Sequence, residues 1–237
     1  MTHIRRKLAK WQLPSIIILI MIHYVVAKNP DDRVIDLASQ KLAGGGIIVF
    51  PTDTSWVFAA SLMSKKGVDA LYRIKGVDRK RHLSVLCNNI SQASRYGVVS
   101  NFTYKIIHKI VPGPYTFILN PTRDIPRSIR DYRKQKQIGI RIPESVLCER
   151  LISHFHYPII TGSIDKNSIL DDLNSDVRTD EIYSYQIEEI FGHQVEMIID
   201  PGEFELAIGG SSVVDFSSDD EIPIVIREGA GDVSFVI

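Results

Sequence analysis

Residues 47–50 are four apolar residues in a row, set between Gly44-Gly45-Gly46 and Pro51-Thr52-Asp53-Thr54. A strand with no polar residue on either face has to be covered on both sides, so the chain is confined to a sheet held between helices. Before the glycines, Val34, Ile35, Leu37, Ala38 and Leu42 recur at helical spacing, and a glycine run is a natural stop for that helix. The alternation repeats downstream. Helices are expected over 64–74, 91–96, 101–110 and 144–155, and strands over 83–87, 115–119, 138–142, 158–161, 196–199, 212–216 and 222–226. With two or three hairpin pairings among them, these predict an α/β fold: a single domain with a twisted mixed β-sheet and flanking helices. Residues 166–184, polar and rich in Asp, are expected to be the longest loop or a lid.

A chain of 237 residues buries enough surface to need no disulfide staple. Cys87 and Cys148 lie far apart with no CxxC, which excludes a disulfide scaffold and a zinc ribbon and fits a reducing, cytoplasmic compartment. The net charge of zero hides a strong asymmetry. Residues 65–141 hold 17 Lys/Arg against 4 Asp and no Glu, whereas residues 165–228 hold 3 Lys/Arg against 17 Asp/Glu. Either the basic stretch meets a polyanionic ligand, or the two stretches interleave in space and neutralise each other.

Residues 13–27 are apolar except for Ser15, His23 and Tyr24, and RRKLAK precedes them. That is the outline of a secretory signal, but it is too short and interrupted to span a membrane. Alternatively, residues 24–27 form the first strand and lead into a helix capped by Asn29, with Pro30 at its first position. A third reading starts translation at Met21. The strand is preferred, because cleavage after Ala27 would remove part of the core. Residues 1–20 are accordingly taken as an extension and 21–237 as the domain.

Three segments place polar residues beside apolar strands, where open α/β sheets bind ligands. Thr52, Asp53 and Thr54 suit a ligand pocket or a plain turn cap. Ser163 and Asp165 can hold a ribose or a Mg²⁺-bound phosphate, or form an Asx-type turn. Gly209-Gly210-Ser211-Ser212 permits close backbone approach to a phosphate without being a Walker motif. Arg141 and Arg227 sit within or at the end of apolar strands, so each must find an anion, either a protein carboxylate or a ligand. His154 and His156 lack metal-ligand spacing and no GxSxG elbow is present, so neither a metal site nor a triad hydrolase is expected.

In order along the chain stand GIIVFPTDTSWVF ending at Phe58, ALYRIKG (70–76), PGPYTFIL (112–119), IGIRIP (138–143), IITGS (159–163), SSVVDF (211–216) and IVIREGAGDV (224–233). Together they resemble the YrdC/YciO family over about residues 22–237, and HYVVAKNPDDR and REGAGDV look closest to its YciO branch. The resemblance implies a YrdC-like sheet around a concave basic groove. It implies synthesis of threonylcarbamoyl-AMP from L-threonine, bicarbonate and ATP, with release of pyrophosphate, for modification of a tRNA adenosine. The family is also associated with double-stranded RNA. Carried over by position, Thr52 and Thr54 would line the threonine pocket and Thr116 its wall. Arg141 would meet the threonine carboxylate. Lys75 and Arg227 would face the nucleotide, and Ser163, Ser211 and Ser212 would hydrogen-bond substrate, with Lys75 and Ser163 the catalytic pair.

The chain departs from the pattern of active synthases at four places. Their lysine-x-arginine is Lys75-Gly76-Val77, and their Ser-x-Asn is Ser163-Ile164-Asp165. Tyrosine-glycine is Trp56-Val57, and Pro-Ser-Thr is Gly210-Ser211-Ser212. A carboxylate at Asp165 repels a triphosphate unless Mg²⁺ bridges them. Two functions are therefore expected: a threonylcarbamoyl-AMP synthase-like nucleotidyltransferase, or a non-catalytic relative that binds nucleotide and double-stranded RNA. Neither calls for a membrane.

Overall fold

The computed structural model describes residues 21–76, 83–126, 137–165, 169, 182–207, 209–218 and 222–236. Its strands are β1 (Ile22–Tyr24), β2 (Ile48–Pro51), β3 (Trp56–Ser61), β4 (Ser84–Leu86), β5 (Tyr115–Leu119), β6 (Ile138–Arg141), β7 (Ile159–Ser163), β8 (Met197–Asp200), β9 (Ser212–Asp215) and β10 (Ile224–Arg227). They form one sheet in the order β1-β8-β2-β3-β7-β4-β6-β5-β9-β10. The sheet is mixed: β1–β8, β8–β2, β4–β6 and β5–β9 are parallel and the other neighbours antiparallel. The helices are α1 (Asp32–Ala43), α2 (Lys65–Ile74), α3 (Ile90–Ala93), α4 (Asn101–Ile107), α5 (Val146–Phe155) and α6 (Ser184–Phe191).

Both faces of the central strands are covered, as the unbroken apolar runs require. Ile48, Phe50, Val57, Ala59 and Ile199 pack on one face against Ile35 and Leu42 of α1 and Leu151 of α5. Val49, Trp56, Phe58, Ala60 and Ile198 pack on the other, against Leu71 of α2 and Ile187 of α6. Burying each large side chain contributes roughly 1.5–3 kcal/mol. Because a one-residue slip would send every side chain to the wrong layer, this double core sets the register. Ser64, Asn89, Ser100 and Ser145 start α2, α3, α4 and α5, each accepting a backbone N–H from one turn further on.

Several elements differ from the sequence expectation. The first strand ends at Tyr24 and pairs with β8. Beyond it the chain turns tightly, with the Asn29 N–H donating to the Val26 carbonyl at 3.0 Å. Held in that turn, Asn29 does not cap α1. Asp31 does, its carboxylate accepting the Arg33 N–H at 2.8 Å. For α4 the cap is Ser100 rather than Asn101. Strand β3 was not anticipated, because its run carries no polar alternation to mark it off from the turn before it. Helix α6 was not anticipated either; it begins at Ser184, the last residue of the expected loop, most of which lies outside the described residues. Residues 1–20 also lie outside them. Among the described residues, no helix is long and apolar enough to cross a membrane.

Candidate functional site

Strands β2 and β3 are joined by a turn that the Thr52 N–H closes on the Ser55 carbonyl at 2.9 Å. The Thr52 hydroxyl donates to the same carbonyl at 2.9 Å and accepts the N–H groups of Thr54 and Ser55 at 3.3 Å each. Thr52 is thus the turn cap that its residue type allows. Thr54 is different: it is buried, and its hydroxyl has no hydrogen-bond partner among the described residues. Asp53 between them is committed three ways. Its Oδ1 accepts from Arg141 Nη2 at 2.5 Å, its Oδ2 accepts the Glu144 N–H at 3.3 Å, and its carbonyl accepts the Ala207 N–H at 2.9 Å.

That contact with Arg141 reports how strongly the sheet coils. Arg141 pairs in register with Leu86, Leu86 with Ile159, and Ile159 with Ser61. Ser61 is at the far end of β3 from the Thr52 turn. In a flat sheet β6 would also lie three strands, about 14 Å, from β3. Only accumulated twist brings the β2–β3 turn onto the β6 arginine. Arg141 is 3% exposed, its Nη1 is 3.5 Å from the Thr52 hydroxyl, and its Nε has no partner among the described residues. Burial pushes its pKa down, and the Asp53 carboxylate opposes that shift. An arginine keeps its proton even so, which leaves a buried ion pair with one unfilled donor. Cys148 lies beside it, its Sγ 3.9 Å from the Pro51 carbonyl, and burial raises its thiol to about 12.

On the other side of Arg141, the pairing of Phe117 with Ile140 carried one step further sets Thr116 alongside it. Thr116 pairs with Val213, and Val213 with Arg227. The line Arg141–Thr116–Val213–Arg227 therefore crosses four strands. The Thr116 and Ser211 hydroxyls are 2.9 Å apart. Arg227 is exposed and donates to the Ser211 carbonyl from Nε at 3.1 Å and Nη2 at 2.6 Å, and to the Ser211 hydroxyl at 3.1 Å. Ser212 donates to the Gly231 carbonyl at 2.6 Å and accepts the Gly229 N–H at 2.9 Å. A Cβ on Gly229 would lie 2.6 Å from the Gly210 carbonyl, so only glycine lets this closing segment lie on the Ser211 turn. Arg227 also helps to lower the Arg141 pKa, so the two cations act on one region.

Lys75 and Ser163 form a third part. Lys75 ends α2, and its ammonium donates to the Ser163 carbonyl. Its stem runs over Gly162, where a Cβ would lie 3.2 Å from Lys75 Cδ. Ser163 is the last residue of β7 rather than the start of the loop after it, and its hydroxyl accepts from Ser55 at 3.3 Å. Asp165 is exposed just beyond. Ser55 thereby joins the Lys75–Ser163 pair to the Thr52 turn, and Asp53 joins that turn to Arg141. Asp53 was expected beside a ligand or in a turn cap but not as the partner of Arg141, and Ser55 was not expected at the site; its only signal was membership of the PTDTS turn. No group of three or more His, Cys, Asp or Glu among the described residues is placed to hold a metal ion.

The Sua5/YciO/YrdC family model, described as "Telomere recombination", matches residues 40–229. YciO of Escherichia coli K12 is 29% identical over 210 residues, 89% of this chain and 96% of its own. Its crystal structure superimposes with a TM-score of 0.77 over 91% of this chain and 98% of that one. A putative threonylcarbamoyl-AMP synthase of Methanocaldococcus jannaschii is 28% identical over 207 residues, 87% of this chain and 90% of its own. Sua5 of P. abyssi, solved with L-threonine, shares the fold with a TM-score of 0.72 at 21% identity, over 88% of this chain and 57% of that chain.

Proposed function

This chain belongs to the Sua5/YciO/YrdC family, and from that premise we propose that it is a threonylcarbamoyl-AMP synthase-like nucleotidyltransferase. The threonine amine condenses with bicarbonate, forming an N–C bond and losing water, and the carboxylate of the resulting carbamate attacks the α-phosphorus of ATP and expels pyrophosphate. The observation that carries this reading is a pair of unfilled buried groups tied to one turn: the Thr54 hydroxyl and the Nε of Arg141, whose guanidinium holds Asp53 of that turn, both lack partners among the described residues. Orphaned buried polar groups of this kind cost stability unless a ligand completes them, and a free hydroxyl together with a free guanidinium donor suits an amino acid that carries a carboxylate and a hydroxyl.

In this reading Thr52, Thr54 and Thr116 line the threonine pocket, and Arg141 takes the carboxylate while Asp53 holds its other edge. Ser211 and Ser212 shape the wall between Thr116 and Arg227. Arg227 and Lys75 face the nucleotide phosphates, where fixed donors count most as charge develops, and Ser163 holds Lys75 in place. Mg²⁺ comes in on ATP, with Asp165 as its protein contact. The product passes to tRNA, and the reaction runs in the cytoplasm.

The test is pyrophosphate release from ATP and bicarbonate, with and without threonine. Release that needs both co-substrates supports the synthase. ATP binding without release overturns it. It would favour a second reading, supported by the Lys75 ammonium being already engaged by the Ser163 carbonyl and by the basic stretch of residues 65–141. That reading is a non-catalytic binder of nucleotide and double-stranded RNA, whose RNA affinity falls steeply with salt.

A further inference from the structure

A groove of about 560 Å³ runs between α3, α4 and the loop before β5. It begins one residue past Arg141, at Ile142, and shares none of the residues assigned above. Its apolar lining is made by Ile90, Val99, Val111, Pro112 and Ile142. Its walls are amides and hydroxyls, and no Asp, Glu, Lys or Arg lines it among the described residues. Such a lining suits a neutral ligand that both donates and accepts hydrogen bonds.

The groove is also stiff. The Asn88 N–H donates to the Gln92 side chain at 2.7 Å and its amide to Ser153 at 2.6 Å, tying the wall to α5. Asn89 and Ser100 are occupied as helix caps. The Asn101 amide, also lining the groove, makes no hydrogen bond among the described residues. At the rim, α4 presents Tyr104 and His108 four residues apart, their rings stacked with centroids 5.2 Å apart and planes within 5°. His108 Nδ1 lies 2.9 Å from the Tyr104 carbonyl, which makes Nδ1 the donor and fixes the ring. Tyr104 is 50% exposed, and Arg95, Lys105 and Lys109, on or just beyond the two helices that line the groove, are exposed as well.

We infer that this groove takes a nucleobase presented by an unpaired stretch of RNA. A base is planar, neutral and rich in both donors and acceptors. It stacks on aromatic rings, while its phosphates stay outside among cations. The groove divides its chemistry in the same way, with uncharged walls, a stacking rim and basic surroundings. A duplex keeps its bases paired and cannot offer one to a cavity. The inference extends the RNA part of the proposed function. It is independent of catalysis, because RNA binding is read without ATP or threonine.

The test uses the full chain with three probes: a single-stranded oligoribonucleotide carrying a photoactivatable uridine, a duplex of the same length, and free uridine monophosphate. The expected result is a crosslink from the single strand to the 99–112 region. Tyr104→Ala should weaken single-strand binding about tenfold, in the range for loss of one base stack, and change duplex binding less than twofold. Asn101→Asp, which removes an amide donor from the lining and puts a negative charge there, should weaken the same binding without touching the aromatic rim. Uridine monophosphate that binds as tightly as the single strand and competes away its crosslink would identify free nucleotide as the source of the base and overturn the RNA part of the inference. Crosslinks elsewhere, unchanged single-strand affinity in both variants, or equal losses for duplex and single strand would overturn the inference. Pyrophosphate release by Tyr104→Ala is expected to equal that of the wild type, so failure here is separable from failure of the synthase reading.

Discussion

Arg141 and Arg227 end two short apolar strands, IGIR and IVIR, that look alike in the sequence, yet the fold treats them in opposite ways. Arg141 is 3% exposed and its anion is a protein carboxylate, Asp53, at 2.5 Å. Arg227 is exposed, and its donors rest on the carbonyl and hydroxyl of Ser211. The difference lies in sheet position. β6 is interior and the coiled sheet folds the Thr52 turn over it, whereas β10 is, among the described residues, the edge strand, with β9 beside it. A buried arginine is a structural commitment that a ligand can only complete. An edge arginine costs little to hold and can turn to a phosphate.

This contrast orders the expected effects of substitution. Arg141→Met leaves the Asp53 carboxylate buried without its cation and should cost about 3–5 kcal/mol in urea unfolding. Replacing both partners, Asp53→Leu with Arg141→Met, should recover most of that loss while threonine-dependent pyrophosphate release stays absent. A loss below about 1 kcal/mol for the single variant would show that water reaches the pair.

The dry surroundings of Arg141 have a second signature in Cys148 and, near α3, Cys87, whose thiols are both pushed up from 9.0 to about 12 by burial. Such a group contributes fully below pH 9 and loses its contribution as pH climbs toward 12, because the unfolded chain releases the proton first. Stability should therefore fall through that window, with Cys148→Ala flattening the fall. Neither thiol should react with a thiol reagent near neutral pH until the chain is unfolded.

Arg227→Ala should behave in the opposite sense to Arg141→Met. Its stability loss is expected to be about 1 kcal/mol or less, while pyrophosphate release drops about 100-fold, as when one transition-state donor is removed. Equal damage to stability and turnover would erase the distinction between the two arginines. The smallest effect is expected for Thr54→Val. The buried hydroxyl has no hydrogen bond to lose among the described residues, so stability should stay within about 1 kcal/mol of wild type or rise. The concentration of threonine needed for half-maximal release should increase.

Much of the fold was legible because its cause is local. Gly44-Gly45-Gly46 stops α1, Ser64 caps α2, and apolar runs such as 47–50 announce strands covered on both faces. Strand β3 escaped for the same reason that β2 was visible: with both faces apolar, Trp56–Ser61 has no periodicity to separate a strand from a buried helix segment. Asn29 was misread as a cap because Asn29 and Asp31 are equally good caps by type, and the tight turn after β1 decided between them.

The sequence by itself determined the layered α/β class, the family, and the residue types that gather at the site, since these depend on periodicity and on motifs read along the chain. Only the tertiary structure decided that Asp53 is the partner of Arg141, that the Thr54 hydroxyl has no partner among the described residues, and that Ser55 links the Thr52 turn to Ser163. Those facts depend on twist accumulated over several strands. Such coiling brings residues 88 positions apart to within 2.5 Å, and no local pattern encodes it.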